Sequence, residues 1–357
     1  FYTSTDTEVI VHLYEEYGLN FLKRLRGMFA FAIWDSDERM LLLARDRFGK
    51  KPLYYTVLND GAVLFASEIK SILQYEETKR VIDFNAFDTF LTYFYIPSPS
   101  TIFKSIKKIP PGHYLVCEDG KISVKKYWDL EFSNPMEVEA EHGIVKELYR
   151  QLEEAVKIRL ISDVPLGVFL SGGIDSSVIT SLMSKLTSEP IKTFSVGFEE
   201  EPYNELPYAR IAAEHLESDH KEFIVRPTDV IKILPKLVWH FDEPFADPSL
   251  IPTYYISEAC RKHVTVALTG DGGDEAFMGY SWLLDYKASE LYSRAPTFIR
   301  KTISNLVGVL PEQAKNGLFG KIERLARWDL PSPEQRYLER ITCFSETDRQ
   351  NLYSDDF

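Results

Sequence analysis

The sequence predicts an α/β protein of two modules, a β-rich α+β module followed by an open parallel sheet with helices on both faces. Three observations carry this. Between residues 141 and 280 helical and strand patterns alternate, as they must when each parallel strand is reached through a helical crossover. The first 130 residues instead hold short apolar runs separated by the hairpin signals Asn59-Asp60-Gly61 and Glu118-Asp119-Gly120. The acidic stretch from Ser133-Asn134-Pro135 to Glu141 is the best linker between them. This bounds the modules at 1–132 and 133–357, and a chain of 357 residues is too long for one ordinary core.

The elements follow in order. Thr5-Asp6-Thr7-Glu8 has the spacing of a capping box, and Val9, Ile10, Leu13, Tyr14 and Tyr17 recur at helical intervals before Gly18. Met28 to Trp34, Met40 to Ala44, Leu53 to Leu58 and Val63 to Ala66 read as strands. Pro97, Pro99, Pro110 and Pro111 make residues 96–112 a tethered crossover. The basic runs Lys104-Ser105-Ile106-Lys107-Lys108 and Lys125-Lys126 read as solvated hairpin edges.

In the second module, helices are expected over Glu141 to Leu160, up to Leu186, Pro207 to Leu216, Thr228 to His240 and Ile251 to Lys262. Strands are expected at Gly167 to Leu170, Thr193 to Phe198, His220 to Ile224 and Val264 to Leu268. Beyond Tyr280 the pattern is helical and charged.

Composition narrows the function. A formal net charge of −13 argues against a nucleic-acid partner, whose phosphates are held by clustered Lys and Arg. No run of about eighteen apolar residues exists, and neither a membrane span nor a signal peptide is expected. Three separated cysteines, Cys117, Cys260 and Cys343, suit reduced thiols in a cytoplasmic protein. Phe1 stands where a complete chain has Met, which predicts a fragment.

Chemistry is concentrated in Ser171-Gly172-Gly173-Ile174-Asp175-Ser176-Ser177, between an apolar strand and a helix. Such a turn aims unpaired backbone N–H groups at an anion. It has neither the Gly-Lys-Ser/Thr of a P-loop nor G-x-G-x-x-G. Asp175 beside a phosphate turn suits magnesium, which takes one or two carboxylates plus phosphate oxygens. A second loop, Thr269-Gly270-Asp271-Gly272-Gly273-Asp274-Glu275, follows the last strand. Its glycines allow close backbone approach and its carboxylates suit a cation. In an open parallel sheet both loops fall at strand ends, where ligands bind.

The first loop resembles the PP-loop of the ATP pyrophosphatases, which cleave ATP between the α and β phosphates. With Lys192 to Phe198, Phe241 to Ser249 and the second loop, the second module resembles the synthetase domain of the glutamine-hydrolysing asparagine synthetase family. The resemblance implies a Rossmann-like PP-loop domain that binds ATP and Mg2+. It assigns ATP or pyrophosphate to Phe169, Leu170, Ser171, Gly172, Gly173, Asp175, Ser176, Ser177, Val196, Thr269 and Gly270. It assigns metal to Asp175 and Asp274, and a catalytic role near the acyl-adenylate to Asp271, where the family often has Glu.

Gly27 to Asp35, Ala44-Arg45-Asp46-Arg47-Phe48-Gly49 to Tyr55 and Phe65 to Glu68 resemble the later part of the Ntn-type class II glutamine amidotransferase fold. Asp6 then matches the aspartate that grips the glutamine amino group. Without the family, Asp6 is a helix N-terminal charge and Arg45-Asp46-Arg47 a surface ion-pair cluster. The fold's nucleophile is an N-terminal cysteine, but Phe1 stands first here, so glutamine hydrolysis is not expected of the chain as it stands. No E-x-R-x-P-F-L-D segment follows, so the synthetase domain is expected to be truncated.

The implied reaction adenylylates aspartate or another carboxylic acid, and ammonia from glutamine then displaces AMP. Several alternatives stay open. These are an amidotransferase acting on a sugar, β-lactam or peptide precursor, a PP-loop protein that modifies tRNA or makes GMP or NAD, and a non-catalytic ATP-binding subunit. Self-association as a homodimer is one arrangement open to it.

Overall fold

A computed structural model describes residues 1–132, 141–199, 204–280, 282–308 and 332–354, so the linker expected from Ser133 to Glu141 lies outside the described residues except for Glu141, which opens a helix. The chain divides into two compact units, each discontinuous in sequence. The first comprises Phe1–Pro135, Pro235–Asp247 and Cys343–Phe357, the second Met136–Leu234 and Pro248–Thr342.

In the first unit, α1 (Asp6–Tyr17) leads into a 3-10 turn over Gly18–Arg24. The expected capping box does not form. Thr5 is the N-cap, but its side chain accepts no hydrogen bond. Glu8 reaches past it and accepts from Tyr2 N–H (2.5 Å), Thr3 N–H (2.7 Å) and Thr3 Oγ1 (2.5 Å). These donors, the Thr3 hydroxyl first, lower the Glu8 carboxyl to about 2. A depressed carboxylate contributes stability above its unfolded value of 4.5 and loses it as pH falls through about 2. A carbon-detected NMR titration is expected to place the Glu8 midpoint at about 2, well below the ordinary glutamate value of 4.5.

Strands β1 (Ala30–Asp35), β2 (Met40–Arg45), β3 (Tyr54–Val57) and β4 (Val63–Ala66) are followed by α2 (Ile69–Ile72) and α3 (Phe84–Tyr93). Then come β5 (Lys107–Lys108), β6 (His113–Glu118) and β7 (Lys121–Lys126). They build two antiparallel sheets, in the orders β1-β2-β6-β7 and β4-β3-β5. Asp119 and Gly120 both have positive φ (49° and 74°), the backbone a two-residue hairpin turn between twisted strands requires. Leu42, Ala44, Phe21 and Leu22 form one buried cluster against α1, and Leu43 with Leu115 forms another on the opposite face of β2.

Two readings of basic residues are corrected. Lys107–Lys108 is no solvated hairpin edge but a strand paired with Tyr54 and Tyr55. The Lys108 side chain is 13% exposed and lies 2.5 Å from Glu243 Oε1, while Lys70 Nζ lies 3.0 Å from Asp242 Oδ1. Burial raises the Glu243 carboxyl, with the Lys108 ammonium opposing. The two ion pairs anchor Pro235–Asp247 in this unit.

Arg45-Asp46-Arg47 is likewise not a surface ion-pair cluster. Asp46 is 1% exposed. Its carboxylate accepts from the backbone N–H groups of Phe29 (3.3 Å), Phe48 (3.2 Å), Lys50 (3.0 Å) and Lys51 (2.9 Å). Arg45 donates to the carbonyls of Lys51, Ile109 and Gly49. The motif therefore organises a loop from within. At the far end of the chain, a helix over Glu346–Leu352 carries Arg349, whose Nε donates to Asp88 Oδ1 on α3 at 2.8 Å.

The second unit begins with α4 (Glu141–Arg159), β8 (Leu166–Phe169), α5 (Ile174–Leu186), β9 (Lys192–Phe198), α6 (Leu206–His215) and β10 (Asp219–Val225). It continues through α7 (Pro227–Phe241), whose last turns belong to the first unit, then α8 (Leu250–Cys260), β11 (Val266–Leu268) and α9 (Gly273–Phe277). Helices α10 (Trp282–Ser293), α11 (Thr297–Gly308) and α12 (Pro333–Ile341) follow. The sheet is parallel throughout, in the order β10-β9-β8-β11.

Successive residues of β8 feed opposite faces, as strand geometry demands. Val168 packs with Val156 of α4 and with Leu182 and Met183 of α5, whereas Phe169 joins Phe194 with Ile256 and Cys260 of α8. The sheet is thus covered on both sides, and the expected α/β class with a parallel Rossmann-like sheet is observed. Phe194 is fully buried between Phe223 (ring centroids 6.5 Å apart) and His263 (5.9 Å). A Cβ at Gly167 would come within 2.6 Å of the Phe194 ring, so that glycine is what admits it. Phe194→Ala is expected to cost about 3–5 kcal/mol, measured as a shift in denaturant midpoint at unchanged slope.

Candidate active site

Chain order along the sheet reverses between β8 and β11. In an open parallel sheet, a crevice forms where crossovers leave in opposite directions beyond the strand ends. Both glycine loops emerge there, Ser171–Ser177 after β8 and Thr269–Glu275 after β11. They line one cavity of about 550 Å³.

The strand end is fixed first. Leu170 N–H donates to Phe194 O at 2.9 Å, and Ser195 Oγ donates to Leu170 O. Ser171 and Ser176 hydroxyls then meet at 2.9 Å, Ser171 N–H donates to Ser176 Oγ (3.2 Å), and Gly173 N–H donates to Ser171 Oγ (3.2 Å). Gly173 is the N-cap of α5 and supplies no side-chain acceptor. No side chain caps the N-terminus of α5. Gly172 has φ +81°, and a Cβ there would overlap the Tyr208 backbone at the start of α6.

The second loop lies against the first. A Cβ on Gly270 would stand 2.9 Å from Ser176 N, and one on Gly273 would stand 2.5 Å from Asp175 Cγ. These two glycines serve loop-to-loop contact. Asp175 thereby packs beside the residue that precedes Asp274. Gly279 N–H donates to Asp274 O at 3.0 Å, and Gly279 leaves no room for a Cβ beside Asp274 Oδ1.

Of the residues singled out from the sequence, Phe169, Leu170, Ser171, Asp175, Ser176 and Val196 line the cavity, as do Thr269, Gly270, Asp271 and Asp274. Gly172, Gly173 and Ser177 belong to the turn but not to the lining. Asp6 belongs to the first unit, exposed in the first turn of α1, where Thr7 Oγ1 donates to it at 3.4 Å. Sequence reasoning did not single out Glu205, Pro252, Thr253, Ile256 or Tyr280, which complete the walls. Glu205 precedes α6, and the next three lie on α8, so only the folded sheet brings them together.

Among the described residues the lining is apolar toward Phe169, Val196 and Ile256, hydroxyl-rich at Ser171 and Ser176, and acidic at Asp175, Asp271 and Asp274. This suits a flat apolar ring, a phosphate chain and a hard cation in turn. No group of three or more metal-ligating side chains is present among the described residues. The carboxylate oxygens of Asp175 and Asp274 still fit magnesium, which draws its other ligands from phosphate and water.

Residues 147–352 match the asparagine synthase family and residues 1–128 match the glutamine amidotransferase domain. The chain belongs to the asparagine synthase family. A glutamine-hydrolysing asparagine synthetase of Bacillus subtilis is 39% identical over 99% of this chain and 54% of its own length. A Methanocaldococcus jannaschii protein, named provisionally as a second such synthetase, is 36% identical over 95% of this chain and 66% of its own. An amidase of Penicillium rubens is 33% identical over 90% of this chain and 50% of its own. This member of the asparagine synthase family thus spans about half to two thirds of the length of these relatives. No helix among its described residues is long and apolar enough to cross a membrane.

Proposed function

We propose that the protein containing this chain is an ATP-dependent amide-forming ligase, a glutamine-hydrolysing asparagine synthetase. The observation that carries the reading is that both glycine loops leave adjacent parallel strands at the sheet's reversal point and line one cavity. Residues 1–132 are then the later part of a glutamine amidotransferase domain and 133–357 a synthetase domain, working in the cytoplasm, with self-association as a homodimer open to test.

In the first step, a side-chain oxygen of aspartate attacks the α-phosphorus of ATP, and the bond to the β-phosphate oxygen breaks. The hydroxyls of Ser171 and Ser176 and the α5 N-terminus receive the departing pyrophosphate, with Gly172, Gly173 and Ser177 shaping the turn. Phe169, Leu170, Val196, Thr269 and Gly270 hold the nucleoside. In the second step, ammonia attacks the activated acyl carbon and AMP leaves. Asp271 stands at the acyl end, placed to take the proton that the attacking nitrogen sheds. When bound, Mg2+ held by Asp175 and Asp274 neutralises charge on the phosphates. In the amidotransferase domain, Asp6 grips the amino group of glutamine.

The test is ATP–pyrophosphate exchange in the full-length protein. Exchange that requires aspartate supports the reading. Exchange only with a sugar-derived, β-lactam-precursor or peptidyl acid reassigns the acceptor, and no exchange with any acid leaves a binding role.

A further inference from the structure

One carboxylate lines the cavity away from the two glycine loops. The sheet order puts β9 and β11 on opposite sides of β8, about 10 Å apart. Asp175, Asp271 and Asp274 lie on the loops that leave β8 and β11, whereas Glu205 lies beyond the end of β9, at the N-cap of α6. It stands on the side of Val196, where the lining is apolar, and no step above uses it.

Its backbone is fixed from several directions. Leu206, 1% exposed, packs onto Gly197, where a Cβ would stand 2.5 Å from Leu206 Cδ1. Asn204 Oδ1 accepts from Leu206 N–H at 3.2 Å, and Glu205 O accepts from the N–H groups of Tyr208 (3.0 Å) and Ala209 (3.1 Å). Gly172 of the first loop admits the Tyr208 backbone, which a Cβ would approach to 2.4 Å. The Glu205 side chain, by contrast, is exposed, caps nothing and has no hydrogen-bond or ion-pair partner among the described residues.

A carboxylate only accepts, so its ligand must bring donors. The phosphates of ATP bring none. Its uncharged donors are the ribose hydroxyls and the amino group of adenine. The flat ring belongs against Phe169, Val196 and the buried Ile256, whereas Glu205 stands at the exposed rim. The sugar links ring to phosphates, and its vicinal hydroxyls offer two donors to two carboxylate oxygens. Such charge-assisted hydrogen bonds are short and strong.

We propose that Glu205 accepts hydrogen bonds from the ribose 2′- and 3′-hydroxyls of ATP, so that the site selects ribonucleotides over deoxyribonucleotides. This rests on the ATP-dependent reading above. Glu205 is a specificity residue, and Gly172, Gly197 and Asn204 position it.

The test compares ATP with 2′-deoxy-ATP in the full-length protein, by calorimetric binding and by aspartate-dependent pyrophosphate exchange. The unaltered protein is expected to favour ATP about 10–100-fold, the usual weight of one hydrogen bond to a charged group. Glu205→Ala is expected to weaken ATP by that factor, weaken 2′-deoxy-ATP less, bring the two within about threefold and leave KM for aspartate unchanged. Glu205→Gln, which keeps one acceptor oxygen without the charge, is expected to fall between. Equal binding of both nucleotides by the unaltered protein overturns the inference. So does a Glu205→Ala protein that keeps the preference or loses both nucleotides in parallel. Inosine triphosphate, which lacks the amino donor, separates base from sugar: discrimination against it that disappears in Glu205→Ala, with the ribose preference intact, also overturns the inference. Absence of exchange with every acid overturns the amide-forming reading, while the binding ratio still decides the role of Glu205.

Discussion

Asp175→Ala is expected to reduce aspartate-dependent ATP–pyrophosphate exchange in the full-length protein by about 10²–10³-fold, the usual loss when one preorganised electrostatic contact to a transition state is removed. Asp175 is half-buried in the first turn of α5, with its carboxylate against Gly273. The variant removes a charge from the cavity and leaves Val168, Leu182 and Met183 packed as before, so the denaturant midpoint should move little. Gly273→Ala reaches the same end by another route. Its added methyl carbon would stand 2.5 Å from Asp175 Cγ, forcing the carboxylate or the second loop to shift. Exchange within a few-fold of the unaltered rate in both variants would remove Asp175 from the site.

The second large effect is on stability. Asp46→Ala is expected to destabilise the first unit by about 3–5 kcal/mol, because the N–H groups of Phe29, Phe48, Lys50 and Lys51 lose their common buried acceptor. Asp46→Asn separates charge from shape. It keeps one acceptor oxygen and turns the other position into a donor facing N–H groups, so most of the loss should persist. Thermal unfolding read from the near-ultraviolet signal of Trp34 and Trp128 checks both variants. A shift below about 1 kcal/mol would mean the loop finds other acceptors.

The second sheet was legible because helical and strand patterns alternate along it and the strand before the first glycine loop is an apolar run. Leu166–Phe169 and Lys192–Phe198 fall within one residue of their sequence-based ends at every terminus. The ten cavity-lining residues named from sequence sit in two loops, each contiguous in the chain, or at a strand end beside them. What escaped depends on distance along the chain. Thr253 and Ile256 reach the cavity only because α8 packs on the face of β9. Tyr280 lies only five residues beyond Glu275, across Met278-Gly279, but it reaches the lining through a left-handed Met that no propensity suggests.

Helix α3 was missed because Phe84–Tyr93 is rich in aromatic and β-branched residues. Its real marker is Asp83, whose side chain accepts from Asn85 and Ala86 N–H groups. Lys108 read as solvated because its partner, Glu243, lies far along the chain and on an element assigned to other work.

The three-part make-up of the first unit bears on how the chain is born. A ribosome delivers residues 1–135 early, yet Glu243 reaches Lys108, and Arg349 reaches Asp88, only after about a hundred and about two hundred more residues respectively have been made. At usual elongation rates the last of these contacts waits roughly 10–40 s. Until Asp242 and Glu243 have been made, Lys108 lacks its partner and Lys70 has Glu68 but not Asp242. A premature stop near residue 330 would leave that first-made unit permanently unfinished, even though its own sheets had been translated in full.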